Sequence, residues 1–191
     1  MRIFLAVFPP PQAQQLAFEA ERRVRAAAGA AAGRVSWVKP ENLHYTLKFL
    51  GELGDDGARR AGEGAREAAA SLAAFDVTLG AAGAFPSAQR ARVLWLGLAR
   101  GAEELKALGR TVDIALAKRG FDREKRAFSP HLTLGRVRDQ GFDWTQALGA
   151  AAPLSGEPAA RFRVSTVCVM KSTLSTGGSI YEVVAEASLT G

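Results

Sequence analysis

Only two histidines occur in the chain, and both stand in the same four-residue frame: His44-Tyr45-Thr46-Leu47 and His131-Leu132-Thr133-Leu134. In a β-strand, residues i and i+2 face the same way, so each frame would present an imidazole and a threonine hydroxyl together and turn its other two side chains away. Set face to face, the frames supply two imidazoles and two hydroxyls. A neutral imidazole accepts a proton from water, and an imidazolium gives one to a departing oxygen. An unperturbed pKa of about 6.5 keeps both forms accessible near neutrality. Threonine hydroxyls are small donors suited to non-bridging oxygens on which charge builds. These are the groups that hydrolysis of a phosphodiester requires, and one histidine would supply only half of them. The chemistry calls for no metal and no cofactor, and the carboxylates do not cluster in a ligand-like pattern.

Taken singly, His-x-Thr-Leu is a short match that chance supplies often, and a buried histidine held by a carbonyl is the common case. Two copies, each after a proline-containing turn and at equivalent points of a repeated pattern, are much harder to attribute to chance. They are read here as one constellation.

The elements that must position the frames also repeat. Met1 to Phe8 reads as a first strand, Pro11 to about Ala28 as a helix with proline in its first turn, and Val35 to Val38 as a short apolar run. Pro40-Glu41-Asn42 is a turn, and Leu43 to Leu50 is the strand carrying the first frame. A helical composition follows over roughly 55–72, and Phe75 to Leu79 alternates as a strand. In the second half, Arg92 to Leu98 is a strand, and Gly101 to Lys118 is a helix with Leu105, Leu108, Val112 and Ala115 on one face. Phe128-Ser129-Pro130 then leads into the second frame, with Pro130 holding Ser129 extended. Strand, helix, connector and histidine strand thus occur twice in the same order. That duplication implies two similar, intertwined lobes within one domain over residues 1–191, related by approximate two-fold symmetry, with the frames across a shared cleft. Phe162 to Lys171 and Ile180 to Leu189 are further strands, separated by a turn-rich Ser172 to Ser179. The expected class is α+β with largely antiparallel sheets.

Bulk properties narrow the field. The chain has 191 residues, 48% hydrophobic and 23% charged, which excludes a disordered polymer and fits one sizeable domain. A formal charge of +6 favours a polyanionic partner, because lysine and arginine displace the counterions around nucleic-acid phosphates. The single cysteine, Cys168, cannot form an internal disulfide and has no zinc-type spacing around it, so a reducing, cytoplasmic setting is expected. The apolar N-terminus stops at Pro9-Pro10-Pro11, too short for a signal core or a membrane span. A monomer is the expected state.

Three residues beside the frames have two readings each. Lys48 is in phase with His44 and Thr46 and is placed at the cleft rim, while Phe49 falls on the core side, with base stacking as its alternative. Strict alternation turns Arg136 away from His131, as a solvated strand-end arginine, unless a bulge near Gly135 brings it inward. Trp37 and Trp95 read as core.

The segments Trp37-Val38-Lys39-Pro40-Glu41-Asn42-Leu43-His44-Tyr45-Thr46-Leu47-Lys48-Phe49-Leu50-Gly51 and Phe128-Ser129-Pro130-His131-Leu132-Thr133-Leu134-Gly135-Arg136 resemble the two signature motifs of the two-histidine phosphoesterase superfamily. The nearest resemblance is to its RNA 2′,3′-cyclic phosphodiesterase branch, once called bacterial 2′-5′ RNA ligases. It spans nearly the whole chain, including the strands at Arg2–Ala6 and Arg92–Gly97 and the segment from Ser172 to Tyr181. It implies a bilobal α+β fold with two antiparallel sheets forming a V-shaped groove and helices outside. It also implies hydrolysis of a terminal 2′,3′-cyclic phosphate to a 2′-phosphomonoester. By motif position it makes His44 the proton donor, which would protonate the departing O3′, and His131 the proton acceptor, which would activate water. Thr46 and Thr133 become phosphate ligands. A basic residue near the phosphate at the Arg136 position reverses the surface reading of that arginine. Lys48, Phe49 and Tyr181 are candidate substrate contacts.

The implied partner is RNA with a 2′,3′-cyclic phosphate end or a 2′-5′-linked oligonucleotide. Two alternatives stand beside the hydrolase. One is 2′-5′ ligation or cleavage of such an oligonucleotide, in which a ribose hydroxyl replaces water. The other is a non-catalytic RNA-binding module, against which the intact titratable pair argues.

Overall fold

The N-terminal apolar run forms β1 (Arg2–Val7), a strand buried from Ile3 to Val7 on both faces, in a computed structural model that describes residues 1–176 and 178–191. Next come α1 (Pro11–Ala28), β2 (Val35–Trp37), β3 (Tyr45–Glu52), α2 (Asp55–Ala70), β4 (Phe75–Phe85) and β5 (Val93–Arg100). The remaining elements are α3 (Ala102–Ala117), β6 (Leu132–Val137), α4 (Thr145–Gly149), β7 (Arg161–Val164), β8 (Thr166–Ser175) and β9 (Gly178–Ser188). Pro11 starts α1, where a missing N–H costs nothing, and Gly29 stops it at a positive φ of 55°. Ala13, Ala17, Ala20, Val24 and Ala28 line its buried face, and their small size lets the helix lie close to its neighbours.

Two sheets form, with strand orders β3-β1-β8-β9 and β2-β6-β5-β4-β7, and all their strand pairings are antiparallel. The α+β class and antiparallel sheets expected from the sequence are the ones found. Each histidine frame enters the strand paired with the first strand of its own half, β3 with β1 and β6 with β5. The helices are exchanged: α1, which follows β1, contacts β6, and α3, which follows β5, packs against β3. β2 crosses too. It pairs with β6, and the chain then turns through Pro40–Asn42 into β3 of the other sheet, so a short connection ties the two histidine strands together. No helix among the described residues is long and apolar enough to cross a membrane.

Four elements differ from the sequence reading. The single strand expected over Phe162–Lys171 is two, because the chain leaves one sheet at Val164 and joins the other at Thr166. The expected turn at Ser172–Ser179 is mostly the continuation of β8 and β9, whose pairing runs on to Ser175 and Gly178; Gly177 lies outside the described residues. β4 runs to Phe85, through glycines and alanines of low strand propensity. Gly83 is required there, since a Cβ would collide with the Trp95 indole on the next strand. Finally, α4 has too few residues for a periodic signal.

Candidate active site

The two histidine strands carry matching irregularities. On β3, Ala6 of β1 faces Thr46 and Leu5 faces Lys48, which leaves Leu47 as an extra residue. On β6, Trp95 of β5 faces Thr133 and Leu94 faces Gly135, which leaves Leu134 extra. A bulge of this kind puts consecutive residues on one side and resets the alternation by one. Leu47 and Lys48 therefore both turn to the core, as do Leu134 and Gly135, while the fifth residue after each histidine, Phe49 or Arg136, rejoins the threonine's face. Gly135 is a close-approach position, since a Cβ there would press on Val35 and Trp37 of β2.

These residues line a cleft of about 590 Å³ of empty space, its open mouth included, walled by Phe4, Val38, Asn42, His44, Thr46, Phe49, Thr133, Arg136, Ser172 and Tyr181. Both histidines sit just before their strands and are oriented in the same way. His44 Nδ1 donates to the Asn42 carbonyl at 2.7 Å, and His131 Nδ1 donates to the Ser129 carbonyl at 2.7 Å. A carbonyl only accepts, so Nδ1 carries the proton in both rings and Nε2 is the nitrogen left to exchange protons. His44 Nε2 lies 2.9 Å from Thr46 Oγ1. The hydroxyl donates to a neutral ring and accepts from a charged one.

The surroundings of the two rings differ. His44 rests among Phe4, Phe8 and Tyr181, at ring-centroid distances of 5.0, 5.3 and 5.3 Å. Phe4 and Phe8 belong to a small apolar layer with Ala6, Cys168 and Met170 on the opposite face of the sheet from Ile3, Leu5 and Val7. Burial lowers the His44 pKa below 6.5, the Asn42 carbonyl partly opposes that, and the charges of His131 and Arg136 lower it further. Thr133 and Arg136 of β6 wall the cleft with His44, while His131, the residue before β6, is not among its walls. His131 stands more open to solvent, with the Phe85 ring edge-on at 5.2 Å and Trp95 stacked behind Phe85 at 4.9 Å. Burial and then the Glu186 carboxylate push the Cys168 thiol up to about 11, so it stays protonated and offers the cleft no nucleophile.

The sequence pattern of the family described as the 2′-5′ RNA ligase superfamily matches residues 8–175, nearly the whole chain and both frames. This chain belongs to the 2′-5′ RNA ligase superfamily. It is 35% identical over 163 residues to a Methanothermobacter thermautotrophicus protein named RNA 2′,3′-cyclic phosphodiesterase, covering 83% of this chain and 85% of the relative. A Thermotoga maritima protein of the same name is 29% identical, covering 100% of this chain and 97% of that one. Among solved structures, a Thermus thermophilus protein superposes with a TM-score of 0.80 at 24% identity, covering 100% of this chain and 99% of that one, which establishes the shared fold.

Within this superfamily fold, His44, Thr46, Thr133, Arg136 and Tyr181 come together at the cleft. Two expectations are corrected. Lys48 is not at the rim: the Leu47 bulge sends it to the core, where its Nζ meets Asp113 Oδ1 at 2.5 Å and also donates to the Asp122 carbonyl. Phe49 is not core: the same bulge leaves it 53% exposed on the cleft wall. Trp37 and Trp95 are half-buried. Residue-by-residue reading missed Asn42 and Ser129, whose carbonyls orient the imidazoles, and Phe4 and Phe8, which enclose His44. A signal for the first pair was available in their identical position two residues before each histidine. Asn42 has a second role: its side-chain amide donates to the Ser179 carbonyl at 2.8 Å, fastening the β9 strand that carries Tyr181 to the loop that aims His44.

Proposed function

We propose that the protein hydrolyses the terminal 2′,3′-cyclic phosphate of RNA to a 2′-phosphomonoester, with His44 as proton donor and His131 as proton acceptor. In this reading His131 Nε2 takes a proton from a water whose oxygen bonds to phosphorus. The P–O3′ bond breaks, and the Nε2 proton of His44 passes to O3′. The water-derived oxygen stays on phosphorus, the 2′ ester is retained, and the two rings exchange protonation states before solvent resets them. Thr46 and Thr133 hold non-bridging oxygens, and Arg136 offsets the charge that develops on them. Tyr181 offers its ring to the terminal nucleoside, and Phe49 stands at the end of the cleft as a further substrate contact.

The observation that carries this reading is the shared orientation of the two imidazoles, each with Nδ1 fixed by the carbonyl two residues before it and Nε2 left to exchange protons, His44 on the cleft and His131 immediately before the strand that brings Thr133 and Arg136 to it. A module that only bound phosphate would need cations, not two rings held in the tautomer that exchanges protons at one defined nitrogen. The relatives' name, RNA 2′,3′-cyclic phosphodiesterase, supports the same substrate class. The test is incubation with an RNA ending in a 2′,3′-cyclic phosphate and, separately, with a 2′-5′-linked dinucleotide, both in excess chelator, with products identified by phosphorus NMR. The expected product of the first is the 2′-phosphomonoester. A 3′-phosphate product reverses the leaving-group assignment, turnover that requires an added divalent ion defeats the metal-independent mechanism, and inert substrates defeat the enzymatic reading.

A further inference from the structure

The cleft that holds His44 does not end at Phe49. The same ring forms a wall of a second depression beside Leu50, closed by the segment Gly120–Arg126 between α3 and β6. An exposed phenylalanine forgoes about 25 cal/mol for each Å² of apolar surface left in water, and here a bulge in β3 holds the ring in that position. The closing segment is fixed from beneath. Asp113 accepts from the Lys48 ammonium, from the Glu124 N–H at 3.0 Å and from the Arg123 guanidinium, and Lys48 holds the Asp122 carbonyl. With Lys48 and Arg123 engaged by Asp113, Lys125 and Arg126 are exposed and make no ion pair with a described residue. The carboxylates of Asp122 and Glu124 lie on the same segment, so with Arg123 engaged by Asp113 it presents two cations, adjacent at its C-terminal end, and two anions.

An exposed aromatic face between a phosphodiester site and a pair of free cations is the arrangement that receives single-stranded nucleic acid, with bases on rings and phosphates on lysine and arginine. A 2′,3′-cyclic phosphate can stand only at the 3′ end of a strand. The rest of the substrate must therefore leave the cleft through the 5′ oxygen of the terminal nucleoside, and the next phosphate lies one nucleotide upstream. We propose that the second depression is an upstream-strand subsite: Phe49 stacks on a base, and Lys125 and Arg126 bind the phosphodiester that precedes the reacting end. The substrate class is then a single-stranded oligonucleotide in preference to a cyclic mononucleotide. This rests on the cyclic-phosphate reading for the identity of the end held at the histidines.

The experiment compares the intact chain with Lys125→Ala/Arg126→Ala and with Phe49→Ala in two measurements. The first is equilibrium binding of a 5′-labelled tetranucleotide ending in a 2′-phosphate, by fluorescence anisotropy, competed with the matching mononucleotide. The second is kcat/KM on 2′,3′-cyclic AMP and on a tetranucleotide with a cyclic end. The intact chain should bind the tetranucleotide roughly tenfold or more tightly than the mononucleotide, as one stacked base supplies. The double variant should largely lose that preference, and its plot of log affinity against log salt should flatten by about 0.7, the slope of one single-strand phosphate. Phe49→Ala should weaken tetranucleotide binding about tenfold. Equal affinity for both ligands in the intact chain, or an unchanged preference in the double variant, overturns the subsite. Hydrolysis without length preference overturns the subsite and leaves the reaction standing. Binding preference without hydrolysis does the reverse.

Discussion

His44 and His131 are the same residue in the same tautomer, held in different surroundings, and that difference bears on which protonates and which deprotonates. Burial in an aromatic enclosure, with the Arg136 charge nearby, holds the His44 pKa below 6.5 in the free protein. A proton donor with a lowered pKa gives its proton up readily, provided something loads it first, and an anionic phosphate between His44, His131 and Arg136 counters the charges that disfavour loading. In a histidine-resolved NMR titration, His44 Nε2 should therefore show a midpoint below 6.5 that moves upward when a nucleoside 2′-monophosphate binds, with Nδ1 protonated throughout. A midpoint at or above 6.5, or titration at Nδ1, would contradict the assignment. Activity that needs protonated His44 is lost as pH rises through that pKa, so the alkaline limb of kcat/KM should lie on the acid side of 6.5. Arg136→Met should lower kcat/KM about tenfold through the lost phosphate contact. It should also displace that limb to higher pH, because one of the charges depressing His44 is gone. His44→Ala and His131→Ala should each reduce kcat roughly a hundredfold or more. Nδ1 in both rings is satisfied by backbone, so no side chain elsewhere replaces the lost Nε2.

At the scale of elements, the bulges at Leu47 and Leu134 decide which side chains reach the cleft. The pairing of His44 with Thr46 and of His131 with Thr133 was legible because the period of two holds up to the threonine. Beyond it the period breaks, and so Lys48, Phe49 and Arg136 were all misplaced by alternation. A bulge depends on which residue of a neighbouring strand is skipped, and the sequence of the bulged strand alone does not contain that. The split between β7 and β8 escaped for the same kind of reason, since a strand changing sheets at Ser165 leaves its apolar pattern nearly continuous. The family resemblance recovered Arg136 where alternation failed. Lys48 supplies the test of the bulge. Burial works against the Asp113 carboxylate, but the Lys48 ammonium, the Glu124 amide and Arg123 outweigh it and hold its pKa below the usual range. Lys48→Met leaves that buried carboxylate with only the amide and a half-exposed guanidinium, and should cost about 3 kcal/mol in urea unfolding. The double variant Lys48→Met/Asp113→Leu should recover much of the loss. If Lys48 instead faced the cleft, the single substitution would leave stability intact and depress kcat.

At the scale of the whole molecule, each half supplies the helix behind the other half's histidine strand, α1 against β6 and α3 against β3. Neither histidine strand has its backing without the other half. We therefore expect one cooperative unfolding transition, with the signals from the two sheets coincident, and no native fold in a fragment ending near residue 91. α1 also carries the least comfortable group in this shared core. Glu21 is fully buried, its Oε1 meets Arg25 at 3.1 Å, and its Oε2 has no partner among the described residues. Burial raises its pKa from 4.5 to about 7, against the opposing pull of Arg25. A carboxyl whose folded pKa lies above its unfolded value is held in its protonated form by the fold. Relative stability is thus complete below about 4.5, declines as pH rises toward 7, and is at its lowest beyond that. At about 1.4 kcal/mol for each tenfold change in acidity, the loss is at most about 3 kcal/mol. Glu21→Gln keeps the shape of the protonated acid and cannot ionise. In urea unfolding it should match the parent chain at pH 4 and exceed it at pH 8, by an amount that grows across the interval between. Equal stability at both values would mean that the Glu21 charge is already satisfied in the fold, and a gain confined to acid pH would reverse the sign of the argument.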